Sequence, residues 1–107
     1  MKILRIDMST LTSKYEDLPE EWKIVGGRCL SAKILLDEVP PETDPLSAEA
    51  RLVLAAGPLA GTHAPSFGRM SVGAKSPLTM GIKEANVGGT LSQKLDRLGI
   101  RAIVVEG

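Results

Sequence analysis

At 107 residues the chain has the length of one ordinary domain, and 43% apolar with 24% charged residues suits a globular protein able to bury a core. Thirteen basic residues balance thirteen acidic ones, and the only aromatics, Tyr15, Trp22 and Phe67, are too scattered to stack bases, which excludes nucleic acid as the expected partner. The single cysteine, Cys29, rules out an intrachain disulfide and any cysteine-only metal site. The start Lys2-Ile3-Leu4-Arg5-Ile6-Asp7 is charged and alternating, unlike a signal peptide, and no apolar run is long enough to span a bilayer. The expectation is a cytoplasmic protein with no membrane partner.

Leu4, Ile6 and Met8 alternate with Arg5 and Asp7, the period-two pattern of a half-buried strand. Ser9 to Ser13 reads as a turn, with Lys14 to Leu18 as the returning strand of a hairpin. Pro19 opens a short helical stretch with Glu20 and Glu21 in its first turn, and Gly26-Gly27 ends it. From Arg28 to Val39, Leu30, Ile34 and Leu35 mark one apolar helix face, stopped by Pro40-Pro41. Cys29, on the first turn of that helix, is expected to serve small-residue packing.

Residues 40–50, rich in proline and acids, form an exposed connector. Arg51 to Ala56 reads as a buried strand, followed by a loop from Gly57 to Pro65. Met70 to Ala74 is another strand, closed by Ser76-Pro77. Thr90-Leu91-Ser92-Gln93 matches a capping box, in which Thr90 and Gln93 would satisfy each other's backbone N–H groups. Leu91, Leu95 and Leu98 then give a helix with one buried stripe, and Gly99 is placed as its left-handed terminator. Ile103-Val104-Val105 forms the last strand, which needs a neighbour on each side or invites pairing with another chain. These elements predict a single α+β domain over residues 1–107, with a mixed, mostly antiparallel β-sheet and short helices.

No nucleophile, base and orienting group occur with any spacing logic, and His63, between Gly61 and Pro65, reads as a loop residue. The glycines are more informative. Asn86-Val87-Gly88-Gly89-Thr90 runs into a capped helix, where a glycine pair lets backbone N–H groups approach an anion; taken alone, the segment reads rather as a tight turn needing positive φ. Arg69 beside Gly68 suits bidentate capture of a phosphate or heterocycle edge, and Lys75, Ser76 and Thr79 add donors close by.

Read together, these segments carry a resemblance. Gly26-Gly27-Arg28, Asp37-Glu38-Val39-Pro40-Pro41 and Asp44-Pro45-Leu46-Ser47 resemble the start of aldehyde ferredoxin oxidoreductases. So do Ala56 to Thr62 with Ala64-Pro65, Gly68-Arg69, Lys75 to Thr79, Asn86 to Gly89 and the closing Ile103 to Gly107, in the same order. The sequence departs from the family pattern at Thr90-Leu91-Ser92, at Gly99-Ile100-Arg101 and at His63.

The resemblance implies the first half of a β-rich N-terminal base domain on which a tungsten or molybdenum bis-pterin (tungstopterin or molybdopterin) complex sits. It implies Arg69, Lys75, Ser76, Asn86, Gly88 and Gly89 as cofactor-binding residues, with the Asn86 backbone carbonyl near a magnesium ion that bridges the pterin phosphates. The implied chemistry is oxidation of an aldehyde to a carboxylic acid, with electrons leaving through a 4Fe-4S cluster to ferredoxin. Cluster ligands would come from remaining domains or a larger catalytic subunit, since Cys29 stands alone, and this chain by itself is expected to be inactive. The alternative is a non-catalytic binding or assembly module, a homo-oligomer formed through its terminal strand.

Overall fold

The computed structural model describes residues 2–18, 26–57 and 69–107. Among the described residues six strands and two helices follow one another as β1 (Lys2–Asp7), β2 (Thr12–Asp17), α1 (Gly27–Glu38), β3 (Leu52–Ala56), β4 (Met70–Lys75), β5 (Ile82–Val87), α2 (Leu91–Arg97) and β6 (Ile100–Glu106). The strands form one sheet in the order β2-β1-β6-β3-β4-β5. Only β1 and β6 run parallel; every other neighbouring pair is antiparallel, so the sheet is mixed and mostly antiparallel as expected.

Helix α1 lies on one face because its apolar residues recur at helical spacing. Leu30, Ile34 and Leu35 pack into a buried cluster with Ile3, Val53, Ala55, Ala102 and Val104 from three central strands. The helix runs alongside β4 in the same direction. Ser31 Oγ is 3.1 Å from Ser71 Oγ near the start of both elements, and a Cβ on Gly73 would stand 3.4 Å from Leu35 Cδ1 one turn on. Glycine at 73 thus permits the close approach of helix to sheet.

An ion-pair network ties the far end of α1 to the sheet. Glu38, in the last turn, stands where the helix dipole disfavours a carboxylate, and two arginines offset this. Arg5 Nη1 and Nη2 each donate to Glu38 at 2.6 Å, and Arg5 Nε donates to Glu16 at 2.7 Å. Arg51 Nε lies 3.5 Å from Glu38 and 3.0 Å from Glu106.

Several expectations are corrected. Strand β5 was not anticipated: its sequence, IKEANV, carries charge in the middle and shows no clean alternation, as edge strands commonly do. Thr90 makes no side-chain capping bond and has helical backbone angles, so the capping box does not form. Of the leucine stripe on α2 only Leu95 is buried, whereas Leu91 and Leu98 are 51% and 74% exposed; the helix seats itself through Ser92 and Leu95 instead. Gly99 does take the left-handed conformation, at φ +80°.

Cys29 is exposed, because the buried face of α1 passes through Leu30 and Ser31 one position on. The connector 40–50 is exposed except at a few points, including the buried Thr43. Strand β6 is not an available edge: β1 and β3 pair with its two sides, which removes the basis for oligomerisation through it. The helix expected from Pro19, and the loop with Gly61, His63 and Gly68, lie outside the described residues.

Candidate functional site

The β4–β5 hairpin decides which of the expected ligand-binding residues meet. Met70 pairs with Val87 and Ser71 with Asn86, so Arg69, Asn86, Gly88 and Gly89 gather at the open end of the hairpin. At the other end Lys75 pairs with Ile82, roughly 20 Å of strand away. The six residues therefore fall into two groups at opposite ends of the hairpin.

At the open end, the Arg69 guanidinium lies against the Gly88 backbone, such that a Cβ on Gly88 would stand 3.6 Å from Nη1. Gly89 adopts φ +119°, a conformation that L side chains rarely enter, and both glycines are exposed. Asn86 is exposed on the edge strand and shares the face of its cross-strand partner Ser71. Since α1 runs along β4, its N-terminus, Gly26-Gly27-Arg28, arrives at this same end of the sheet. Its first turn holds no acidic residue and its cap makes no side-chain hydrogen bond, so the helix's own first turn places no negative charge at the positive end of its dipole.

Sequence reasoning missed the polar layer beneath this end. Ser71 Oγ donates to Glu84 Oε1 at 3.0 Å and meets Ser31 Oγ, while Arg28 Nε lies 3.3 Å from Glu84 Oε2. The available signal was a serine on the apolar face of each partner, Ser31 beside Leu30 and Ser71 in β4; such residues need one another when buried.

Lys75 and Ser76, at the opposite end of the hairpin from Arg69, are engaged in local structure. Lys75 is 8% exposed, and its Nζ donates to the Pro41 and Thr43 carbonyls, the latter at 2.6 Å, pinning the connector to β4. Ser76 Oγ accepts from the Leu78 and Thr79 N–H groups at 3.2 Å each, holding the hairpin turn. An apolar groove of about 350 Å³, lined by Leu36, Val39, Met80 and Ile82, opens beside Lys75 and so lies away from the Arg69 end.

Among the described residues no cluster of histidine, cysteine, aspartate or glutamate could hold a metal ion. Nor is any helix among them long and apolar enough to cross a membrane. What the open end offers is a donor set for an anion: a guanidinium, exposed glycine backbone and a helix N-terminus, with Asn86 alongside.

Residues 3–107 match the family model for the aldehyde ferredoxin oxidoreductase N-terminal domain. The chain is 47% identical over 108 residues to the tungsten-containing aldehyde ferredoxin oxidoreductase of Pyrococcus furiosus and 44% identical to that of Thermococcus kodakarensis. Each alignment covers 99% of this chain but only 18% of the relative, so the chain spans under a fifth of their length. Among solved structures, the active site complex BamBC of benzoyl coenzyme A reductase, in complex with 1,5 dienoyl-CoA, superposes with a TM-score of 0.93 at 32% identity. That match covers 99% of this chain and 16% of the other. With the family model spanning nearly every residue, this chain belongs to the aldehyde ferredoxin oxidoreductase N-terminal domain family.

Proposed function

We propose that this chain is the first half of the base domain of a tungsten-dependent oxidoreductase, and that its Arg69, Asn86, Gly88 and Gly89 cradle a tungstopterin. The carrying observation is the convergence of the Arg69 guanidinium and the Gly88-Gly89 backbone at the hairpin's open end. These donors fit the anionic phosphates of a pterin cofactor. Arg69 would donate paired hydrogen bonds, and the two glycines would let a phosphate come close to the main chain. The Asn86 backbone carbonyl would help to hold a magnesium ion.

When bound, the metal centre supplies the two-electron oxidation of an aldehyde and water to a carboxylic acid, releasing two protons. This chain holds the cofactor in place and tunes it by hydrogen bonds. A 4Fe-4S cluster, with ligands from the remaining domains, would pass the electrons singly to ferredoxin, in a cytoplasmic setting. Tungsten is favoured over molybdenum because the relatives are tungsten-containing, and an aldehyde substrate over a coenzyme A thioester by 47% against 32% identity.

The test is Arg69→Gln in the protein at its full expressed length, purified anaerobically. Tungsten by mass spectrometry and pterin by fluorescence after oxidation are expected to fall at least tenfold, on the order of 1.4 kcal/mol of lost cofactor affinity. Full retention of both, in a protein of unchanged thermal stability, would refute the assignment.

A further inference from the structure

Arg28 stands on the first turn of α1, at the same end of the sheet as Arg69, Asn86, Gly88 and Gly89. Its side chain is 71% exposed, and it is held at one point: Nε lies 3.3 Å from Glu84 Oε2. A guanidinium gripped through Nε keeps the edge formed by Nη1 and Nη2 for a second acceptor. Neither Nη has a hydrogen-bond partner among the described residues.

Glu84 is itself fixed. Its side chain is 16% exposed, and its Oε1 accepts from Ser71 Oγ at 3.0 Å. Ser71 Oγ meets Ser31 Oγ at 3.1 Å, and Ser31 Oγ in turn reaches the Arg28 carbonyl at 3.0 Å. Glu84 therefore holds Arg28 twice, by the ion pair and through the two serines behind it. Strand pairing sets Glu84 opposite Gly73 and Asn86 opposite Ser71, so both lie on the α1 side of β5, about 7 Å of strand apart. Arg28 leans from the helix onto the edge strand next to Asn86, with its carboxylate partner turned inward and its charge outward.

We infer that Arg28 supplies a second guanidinium to the anionic cofactor, and that Glu84 is the positioning residue that aims it. The inference rests on the cofactor reading above and extends it from the hairpin to the helix. A free arginine gives up rotamer freedom when it captures an anion, and one already anchored by Nε gives up less. The Nη1 and Nη2 pair then offers two parallel N–H donors to phosphate oxygens. Because Glu84 balances the charge of Arg28, what the pair contributes is direction as much as charge.

The experiment compares Arg69→Gln, Arg28→Gln, Glu84→Gln and the double variant Arg28→Gln with Glu84→Gln, each in the protein at its full expressed length. The rate of tungsten and pterin loss in anaerobic dialysis is read beside the melting temperature. Arg28→Gln is expected to speed the loss about tenfold and Glu84→Gln about threefold, since the amide still accepts from Ser71 but no longer grips the guanidinium. The double variant should match Arg28→Gln, because Glu84 acts through Arg28. Melting temperatures should stay within about 3 °C of the native value, as an ion pair this exposed contributes little to folding. Single effects that multiply in the double variant would give Glu84 a separate role through Ser71 and overturn its assignment. Faster loss from Arg69→Gln with none from Arg28→Gln would overturn this inference alone. Unchanged loss in both would remove the cofactor reading and this inference with it.

Discussion

Lys75→Met keeps the length and most of the bulk of a side chain that spans from β4 to the connector, and removes only its charged donor. In the native protein that donor serves two carbonyls, those of Pro41 and of the buried Thr43, at a position 8% exposed. Hydrogen bonds from a charged group contribute about 1.5–3 kcal/mol each, so two give roughly 3–6 kcal/mol. Methionine is spared the cost of burying an ammonium group, which offsets about half of this and leaves a net loss of about 2–3 kcal/mol. For a chain of this size each kcal/mol lowers the melting temperature by about 4–8 °C, so a fall on the order of 10–20 °C is expected. With a urea dependence of about 1–3 kcal/mol per molar, the unfolding midpoint should drop by roughly 1–2 M. Circular dichroism against temperature and urea measures both. Tungsten and pterin content, read well below the variant's midpoint, should stay at the wild-type level. A stability change under about 0.5 kcal/mol together with lost cofactor would refute this reasoning and return Lys75 to the ligand-binding group.

Further expectations concern packing and charge. Gly73→Val should destabilise by about 1–3 kcal/mol, because even a Cβ there would lie 3.2 Å from both Ser31 Cβ and Oγ; unchanged urea unfolding would contradict so close a contact between α1 and β4. Arg5→Met leaves Glu38 half-buried with only the longer Arg51 contact, and is expected to cost about 2–4 kcal/mol; a variant as stable as the native chain would show that the network contributes nothing. Carbon-13 titration of the carboxyl groups should find two opposite shifts. Glu16 is held below the usual glutamate range by its hydrogen bond to the Arg5 guanidinium, with Lys14 assisting. Its contribution to stability is complete above the ordinary glutamate pKa and fades as the pH falls through the lowered folded value. Asp96 is pushed up by burial, which Arg101 only partly counters. Its protonated form is therefore favoured by folding, and stability declines as the pH rises from the ordinary aspartate value through the raised one. Ordinary values for both carboxyls would remove this account.

Much of the secondary structure was legible in the sequence wherever burial on one face imposes a period. Leu30, Ile34 and Leu35 mark α1 because a helix lying on a sheet must be apolar along one stripe. The alternation of Leu4 and Ile6 with charged neighbours marked β1 as a strand but not its core face. The fully buried residue is Ile3, on the α1 side that Arg5 shares, while Leu4 and Ile6 are half-buried on the other side. Gly99 stands where only a residue without a Cβ turns easily. The resemblance to the aldehyde ferredoxin oxidoreductases was legible too, since it rests on short ordered segments and needs no fold. Edge strand β5 was not, because a strand with one unpaired side and charged neighbours carries no apolar signature. Thr90 and the α2 leucines misled for a related reason: a helix of seven residues is seated by what the sheet presents to it, here through Ser92 and Leu95, and not by its own pattern.

Local sequence thus determined most of the helix and strand segments, β5 excepted, and which side chains carry donors suited to an anion. Only the tertiary structure decided who meets whom. A period of two tells that a strand has a buried face but not which strand lies beside it, and so the central position of β6, between β1 and β3, is a matter of long-range pairing. The same pairing sorted the candidate site. Arg69 and Lys75 are near neighbours in sequence with equal claim to a ligand, yet an extended strand carries them to opposite ends of one hairpin. There Arg69 meets Gly88, while Lys75 is drawn under the connector by two carbonyls that need a donor once they leave water.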